Sequence, residues 1–422
     1  MEQDMKNIGI PLLESLPSGT TSKAQTLGNI IVSIVGTGVL GLPFAFRVAG
    51  WFAGALGVII TGISTYYCML LLIQCREKLA LEKSSVETRT YGDLGYRCMG
   101  TTGRYLTEFL ILISQCGGAV AYLVFIGQNL LSIFKGHGLT FASYVFLLVP
   151  VEIGLSWIGS LAAFAPFSIF ADICNALAMG IVLKDDIQQA IGGKFSFAER
   201  TAITSNLGGL PFAAGMAVFC FEGFGMTLSL QNSMKDRTTF PRLLGQAFAG
   251  ITLVYVSFGF FGYMAYGDQT RDIVTHNLPR NWSSVAVQVG LCLGLVFTFP
   301  VMLRPINEIV EEKLSGGHWC KKLHNSNTDE STIVGKIGKY ISRAVLVVLL
   351  ALLASCVPQF GVFASLVGST VCALISFVLP ATFHLRLFGS SLHLWQKLLD
   401  SVILSFGLLF AAYGTYNTVF GV

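Results

Sequence analysis

Charge is what this chain has least of. Of its 422 residues only 12% are charged, while 53% are hydrophobic. A soluble domain carries about twice that charged fraction. So few charges cannot coat a globule of this size, whereas a polytopic membrane protein can carry the composition because lipid covers its apolar surface. The formal charge of +4 is too small to argue for a nucleic-acid partner. The ten cysteines contain no CxxC pair, and Cys68, Cys116, Cys174, Cys220, Cys292, Cys356 and Cys372 all lie in apolar stretches as small filler. His318, Cys320 and His324 stand close together in a polar loop, where solvation is a better reading than metal binding. No Ser/His/Asp cluster, HExxH or P-loop occurs, which leaves an enzyme or an ATP-driven pump without residues to rest on. Nor does a cleavable secretory signal open the chain: "MEQDMKNIGIPLLESLPSGTTSK" is polar and mixed in charge.

Long apolar runs are what the chain does have. A bilayer core needs about 20 apolar residues per helix. Eleven spans are expected, over roughly 24–46, 50–75, 105–134, 140–157, 161–183, 206–231, 242–266, 284–312, 341–357, 360–385 and 394–419. Between the second and third, "YGDLGYRCMG" reads as a short surface helix or turn. With the N-terminus in the cytosol, cytosolic segments hold 20 of the 27 Lys and Arg residues, as the positive-inside rule requires. An odd count then places Val422 on the other side. The sequon Asn281-Trp282-Ser283 falls in a loop on that side as well.

"GTGVLG", residues 36–41, matches the dinucleotide pattern G-x-G-x-x-G, but Pro43 follows at once and the first downstream carboxylate is Glu77. These glycines need another explanation. Glycine destabilises a helix interior by about 1 kcal/mol relative to alanine. Gly36, Gly38, Gly41 and Pro43 crowd one stretch of the first span, and "FCFEGFGMTLSL" does the same in the sixth, with Gly223 and Gly225 beside Glu222. The two breaks lie 187 residues apart. That fits five spans followed by five inverted spans, each set with its first helix interrupted, plus an eleventh helix. Matching breaks point to a transporter site. Half-helix N-termini suit a carboxylate and freed carbonyls suit an ammonium, so the pair suits an amino acid. Gly50 and Gly54 read instead as a close-packing pair of the GxxxG kind.

Carboxylates at membrane depth are functional candidates. Glu222, inside the second break, and Asp172, which shares a helix face with Ser168 and Asn175, are the candidates for exchanging a proton. Glu108, Gln115, Tyr122 and Asn129 repeat at sevens on the third span, and Tyr122, near mid-span, can close over a substrate. Arg47 and Arg304 sit at span ends as snorkelling anchors.

These segments resemble a known family. "IVGTGVLGLPFAF" resembles the first-helix motif of the amino acid/auxin permease family, and "FEGFGMTLSLQNSM" the sixth-helix motif of its proton-coupled and vacuolar branch. "GYMAYGDQTRDIVTHNLP", "TFPVMLRPINEIVEE" and "VLPATFHL" are similar to its seventh, eighth and tenth segments, and the plant vacuolar transporters look nearest. The resemblance implies an all-α, LeuT-like fold of two inverted five-helix repeats. The boundaries expected are a tail over 1–23, repeats over 24–183 and 205–385, a non-cytosolic loop over 184–204, and the eleventh helix over 386–422. It implies proton-coupled amino-acid export from a vacuole to the cytosol by a monomer that needs no cofactor beyond the coupling proton. Gly36, Thr37 and Gly38 would face the substrate carboxylate; Phe219, Cys220, Phe221, Gly223, Phe224 and Gly225 would face the amine and side chain. Ile34 replaces an asparagine common in proton-coupled relatives, so that contact is missing here. Small neutral amino acids are the expected substrates. A sodium-coupled carrier of the same fold and a non-transporting sensor are the alternatives. Leu12-Leu13 resembles a dileucine sorting signal, with Ile8 where its acid would stand.

Overall fold

The computed structural model describes residues 19–81, 90–134, 138–158, 164–193, 195–206, 208–316, 330–357 and 359–420. The dileucine and the His318–Cys320–His324 group lie outside the described residues. Among those described, the regular elements are helical, apart from one parallel bridge between Thr21 and Met234. The helices are α1 (Lys23–Ile34), α2 (Leu42–Ala49), α3 (Trp51–Leu81), α4 (Tyr91–Ile133), α5 (Phe141–Ser156), α6 (Ala165–Ile191), α7 (Gly209–Cys220) and α8 (Phe224–Ser233). They continue with α9 (Phe240–Tyr266), α10 (Trp282–Gly316), α11 (Glu330–Ser355), α12 (Phe360–Val367), α13 (Leu379–Phe388) and α14 (Leu394–Phe420).

Among the described residues, nine stretches are long and apolar enough to cross a bilayer, and α1 with α2 makes a tenth, bent by 46°. The expected fourth span is α5, whose sixteen residues reach only about 24 Å at 1.5 Å per residue. Large apolar side chains such as Ile63, Leu253 and Leu409 stand fully or half exposed on these helices, as a lipid-facing surface requires.

Local chemistry sets the helix ends. Ser22 and Gln25 form a reciprocal capping box at the start of α1: Ser22 Oγ accepts from the Gln25 N–H, and Gln25 Oε1 accepts from the Ser22 N–H. Asn281 does not simply mark a glycosylation sequon. Its Oδ1 accepts from the Ser284 N–H at 2.9 Å and caps α10. Three expectations shift. Gly50 and Gly54 both pack closely but not as one helix-face pair: Gly50 is a turn residue with φ of 97° whose Cβ position lies 2.5 Å from the Ala202 carbonyl, and the Gly54 Cβ position lies 2.9 Å from the Phe46 ring. "YGDLGYRCMG" does form a short helix, set off from the rest of α4 by non-helical Gly100 (φ 70°, ψ −157°), but it buries Tyr91, Leu94 and Cys98 rather than lying on the surface. Finally, α6 runs on to Ile191, past the expected end at 183, so Asp185 and Asp186 are helical.

Internal packing divides the chain into two units. The first comprises Met1–Ile111, Ser196–Gly267 and Ser365–Val422; the second comprises Leu112–Phe195 and Asp268–Ala364. In the first unit the Phe46 ring sits between Gly54 of α3 and Gly259 of α9, at positions where a Cβ would collide with it. The tenth span winds as π-helix over Gly368–Cys372 and Leu374–Val378. A Cβ on Gly368 would stand 1.8 Å from the Gly215 carbonyl of α7, so only glycine lets these backbones meet. In the second unit Gly290 and Gly294, four residues apart on α10, lie against Cys174 and Ala171 of α6. That is the small-residue interface expected where hydrophobicity cannot drive helix association.

Candidate substrate site

The first unit brings the two breaks together. α1 stops at Ile34, Val35 and Gly36 are extended, and a 3₁₀ turn over Thr37–Gly41 leads into α2. α7 stops at Cys220, and α8 starts again at Phe224 after Gly223. A Cβ on Gly38 would meet Cys220 Sγ at 3.1 Å and the Phe219 ring at 3.3 Å; one on Gly223 would meet Ile34 Cγ1 at 3.1 Å. Each break therefore rests on the other, and glycine permits the approach.

Two ties hold them. Upstream of α1, the Thr21 N–H donates to the Ser233 carbonyl at the end of α8, and the Lys235 N–H donates back to Thr21. At the breaks, the Tyr255 hydroxyl of α9 lies 3.1 Å from both the Ile34 and the Cys220 carbonyls. These are the C-terminal ends of α1 and α7, where carbonyls lose their helical partners. Tyr255 is fully buried, and its ring packs on Phe221, which also stacks on Phe248. The sequence reading missed Tyr255, because a tyrosine inside "LVYVSFGFFGY" looks like aromatic filler.

Glu222 is half-buried at the turn between α7 and α8. Its carboxylate accepts from the Phe224 N–H, the first of the new half-helix. Thr227 Oγ1 donates to the Gly223 carbonyl at 3.1 Å. Space remains beside the breaks: a Cβ on Gly36 or Gly225 would meet nothing within 4 Å. Thr37, Gly38, Cys220, Phe221, Gly223 and Phe224 are buried, whereas Phe219 and Gly225 are partly accessible and Gly36 is exposed. The arrangement brings the C-terminal ends of α1 and α7 together with the starts of the 3₁₀ turn and of α8, with a carboxylate beside them. A separate cavity of about 220 Å³, lined by residues including Phe46, Gly54, Val58, Ala213, Phe377 and Phe410, contains none of these residues. Its wall is apolar apart from Thr61 and Ser64 and carries no charged side chain.

Residues 19–420 match the family described as transmembrane amino acid transporter protein. The chain belongs to the transmembrane amino acid transporter family. It is 63% identical to the amino acid transporter ANT1 of Arabidopsis thaliana, over 98% of this chain and 97% of that one. It is 37% identical to the Arabidopsis amino acid transporter AVT3B, over 94% and 93%. The vacuolar amino acid transporter 4 of Saccharomyces cerevisiae is 27% identical over 97% of this chain and 60% of its own length. These relatives are named as transporters, and none of the three as an enzyme.

The transporter's remaining candidates are spread over both units. Tyr122 and Asp172 belong to the second unit, where the Asp172 charge acts on the Tyr122 phenol. Ser168 Oγ donates to the Phe164 carbonyl of its own helix. Of the stripe on α4, Glu108 accepts from Arg104 at 2.7 Å, and Asn129 Nδ2 donates to the Phe125 carbonyl. Arg47 lies over the Phe44 ring, and Arg304 donates to Glu308 at 3.0 Å. Two further carboxylates are fully buried and accept no hydrogen bond among the described residues: Glu152 on α5 and Asp186 on α6. Reading α6 as ending at 183 hid Asp186; its position after an apolar run was the available signal.

Proposed function

We propose that the protein is a proton-coupled carrier of small neutral amino acids, moving them from an acidic vacuolar lumen to the cytosol, with its N-terminus cytosolic. The meeting of the two breaks carries this reading. Half-helix N-termini at Gly36–Gly38 and at Phe224 favour a carboxylate, and the carbonyl ends at Ile34 and Cys220 favour an amine. Glu222 stands at the same place and offers an acid to carry the coupling proton. The plant and yeast relatives support the amino-acid cargo, and the yeast relative's name supports the vacuole.

Uptake of labelled alanine and proline into proteoliposomes tests it, first under an imposed pH gradient and then under a sodium gradient. Accumulation driven by the pH gradient, and lost in Glu222→Gln with substrate exchange retained, is the expected result. Accumulation only with sodium, or full pH-driven accumulation in Glu222→Gln, overturns the coupling assignment.

A further inference from the structure

Away from the breaks, the first unit buries an acid and a histidine side by side. Asp400 of α14 and His384 of α13 place Oδ2 and Nδ1 2.6 Å apart, with side chains 0% and 4% exposed. Tyr67 of α3 donates its hydroxyl to Asp400 Oδ1 at 2.9 Å. Three helices each contribute one group, and both oxygens of a buried carboxylate are engaged. As a mere staple this is a costly choice. Taking a carboxylate out of water costs several kcal/mol, and apolar replacements of buried ionic groups are often neutral or stabilising. What the trio has that an apolar staple lacks is a second charge state.

With a neutral imidazole, Nδ1–H donates to Asp400 and the pair carries one negative charge. A proton taken from solvent at Nε2 makes an imidazolium–carboxylate pair of zero net charge. Histidine is the side chain suited to that change near neutral pH. Each neighbouring element brings titratable or charged groups of its own. On α3, Tyr67, Cys68 and Cys75 lie within electrostatic reach of Asp400. Lys78 of α3 donates to the Leu387 carbonyl and lies over Phe388. On α13, the Arg386 charge falls on Cys98 of α4, and the Tyr91 hydroxyl of α4 donates to the Ile375 carbonyl of the π-helical stretch. That stretch brings Cys372, α7 brings Cys220, and α14 itself brings Lys397, one turn before Asp400.

The pair also has a route to the site. α3 carries Tyr67 against Asp400 and, two residues on, Met69 against Gly223: a Cβ on Gly223 would stand 3.7 Å from Met69 Cε. The same helix therefore touches both the pair and the second break.

We propose that Asp400 and His384 form a proton-binding site, separate from the broken helices, whose occupancy sets the rate of the transport cycle. The inference rests on the chain moving amino acids and does not require coupling at Glu222. Proton binding is tested directly on the purified full chain, by dye-monitored proton uptake on acidification from about pH 8 to about pH 5, the range over which histidine changes charge. His384→Gln is expected to take up about one proton fewer per chain than wild type; equal uptake overturns the proposal. The effect on rate is tested by exchange of labelled for unlabelled alanine in proteoliposomes at equal pH on both sides, a readout that needs no proton gradient. The pH-dependent step of wild type should vanish in both His384→Gln and Asp400→Asn, and profiles that superimpose on wild type overturn the rate assignment. Should both variants lose exchange altogether, Tyr67→Phe decides, because it keeps the ring and the pair. Its rate midpoint should move to higher pH by up to about one unit, the size of one charge-assisted hydrogen bond, and an unmoved midpoint overturns the assignment.

Discussion

Tyr255→Phe removes one oxygen and should disturb both breaks. The hydroxyl lies 3.1 Å from the Ile34 and the Cys220 carbonyls, in a place fully closed to solvent. A hydrogen bond of this kind contributes roughly 0.5–1.5 kcal/mol net, and stranding a buried acceptor costs about 1–3 kcal/mol. One hydroxyl has one proton, so only one bond is lost in full; the other carbonyl loses a weaker share. A total of about 1–3 kcal/mol follows, equivalent to about 5- to 150-fold in an equilibrium. The ring remains packed on Phe221, 5.0 Å between centroids, so the variant should fold. Without the hydroxyl, two negative helix ends face each other with nothing between them. The breaks should part, and substrate must then draw them back. The assay is paired: melting temperature in detergent, and kcat/KM for alanine in proteoliposomes. Tyr255→Phe should melt earlier and lose kcat/KM within that range. Tyr255→Ala also forfeits the ring, at about 3–5 kcal/mol for a large aromatic, and should lose folded yield. A Tyr255→Phe variant that melts and transports like wild type refutes the reasoning.

Glycine positions separate space kept for substrate from space kept for packing. Gly36→Ala and Gly225→Ala place a methyl where nothing lies within 4 Å, so folded yield should hold while KM rises; unchanged KM in both would move the substrate elsewhere. Gly368→Ala drives a methyl into the Gly215 carbonyl and should abolish folded yield, since overpacking against backbone costs about 1–3 kcal/mol or more. Two carboxyls outside the spans give opposite pH signatures. The hydrogen bond from Thr238, with Lys23 nearby, holds Asp236 below the usual carboxylate range. Its stabilisation is present above about pH 4 and lost as pH falls through the lowered folded value. The melting-temperature gap between wild type and Asp236→Asn should therefore close on acidification, from no more than about 1 kcal/mol, because the carboxylate is 43% exposed. Burial pushes Asp272 upward despite the backbone N–H groups of Gly361, Ile273 and Phe360. Its contribution is present below the ordinary range and lost as pH rises through the raised folded value, so wild type should lose ground to Asp272→Asn as pH rises.

Both breaks were legible because helix-breaking is a local property. Gly36, Gly38 and Gly41 with Pro43, and Gly223 beside Gly225, announce themselves in a few residues, and α1–α2 and α7–α8 break there. The ties between the breaks were not legible. Tyr255 acts across more than two hundred residues of sequence on Ile34, and nothing local distinguishes it from its aromatic neighbours. Asp400 and His384 escaped for the same reason: they are sixteen apart and meet across a turn between helices, a spacing with no helical periodicity. The π-helical winding of the tenth span follows from backbone contact at Gly368, which sequence shows only as one more glycine.

Under the proposed function, the two breaks leave different backbone groups for a substrate to satisfy. At membrane depth every exposed backbone group needs a partner. The carbonyl ends at Ile34 and Cys220 share the Tyr255 hydroxyl, and the Gly223 carbonyl accepts from Thr227. On the donor side, Glu222 takes the Phe224 N–H. The first N–H groups of a helix have no intrahelical acceptor, and those at Thr37 and Gly38 begin the turn that follows exposed Gly36. On this reading a substrate carboxylate completes the donor side of the first break. A carbonyl has two lone pairs, so one hydroxyl shared between Ile34 and Cys220 leaves acceptor capacity for an ammonium on both. The same carbonyls would then bind Tyr255 and the amine together, which is why deleting one oxygen from Tyr255 should be felt in substrate affinity and not in stability alone.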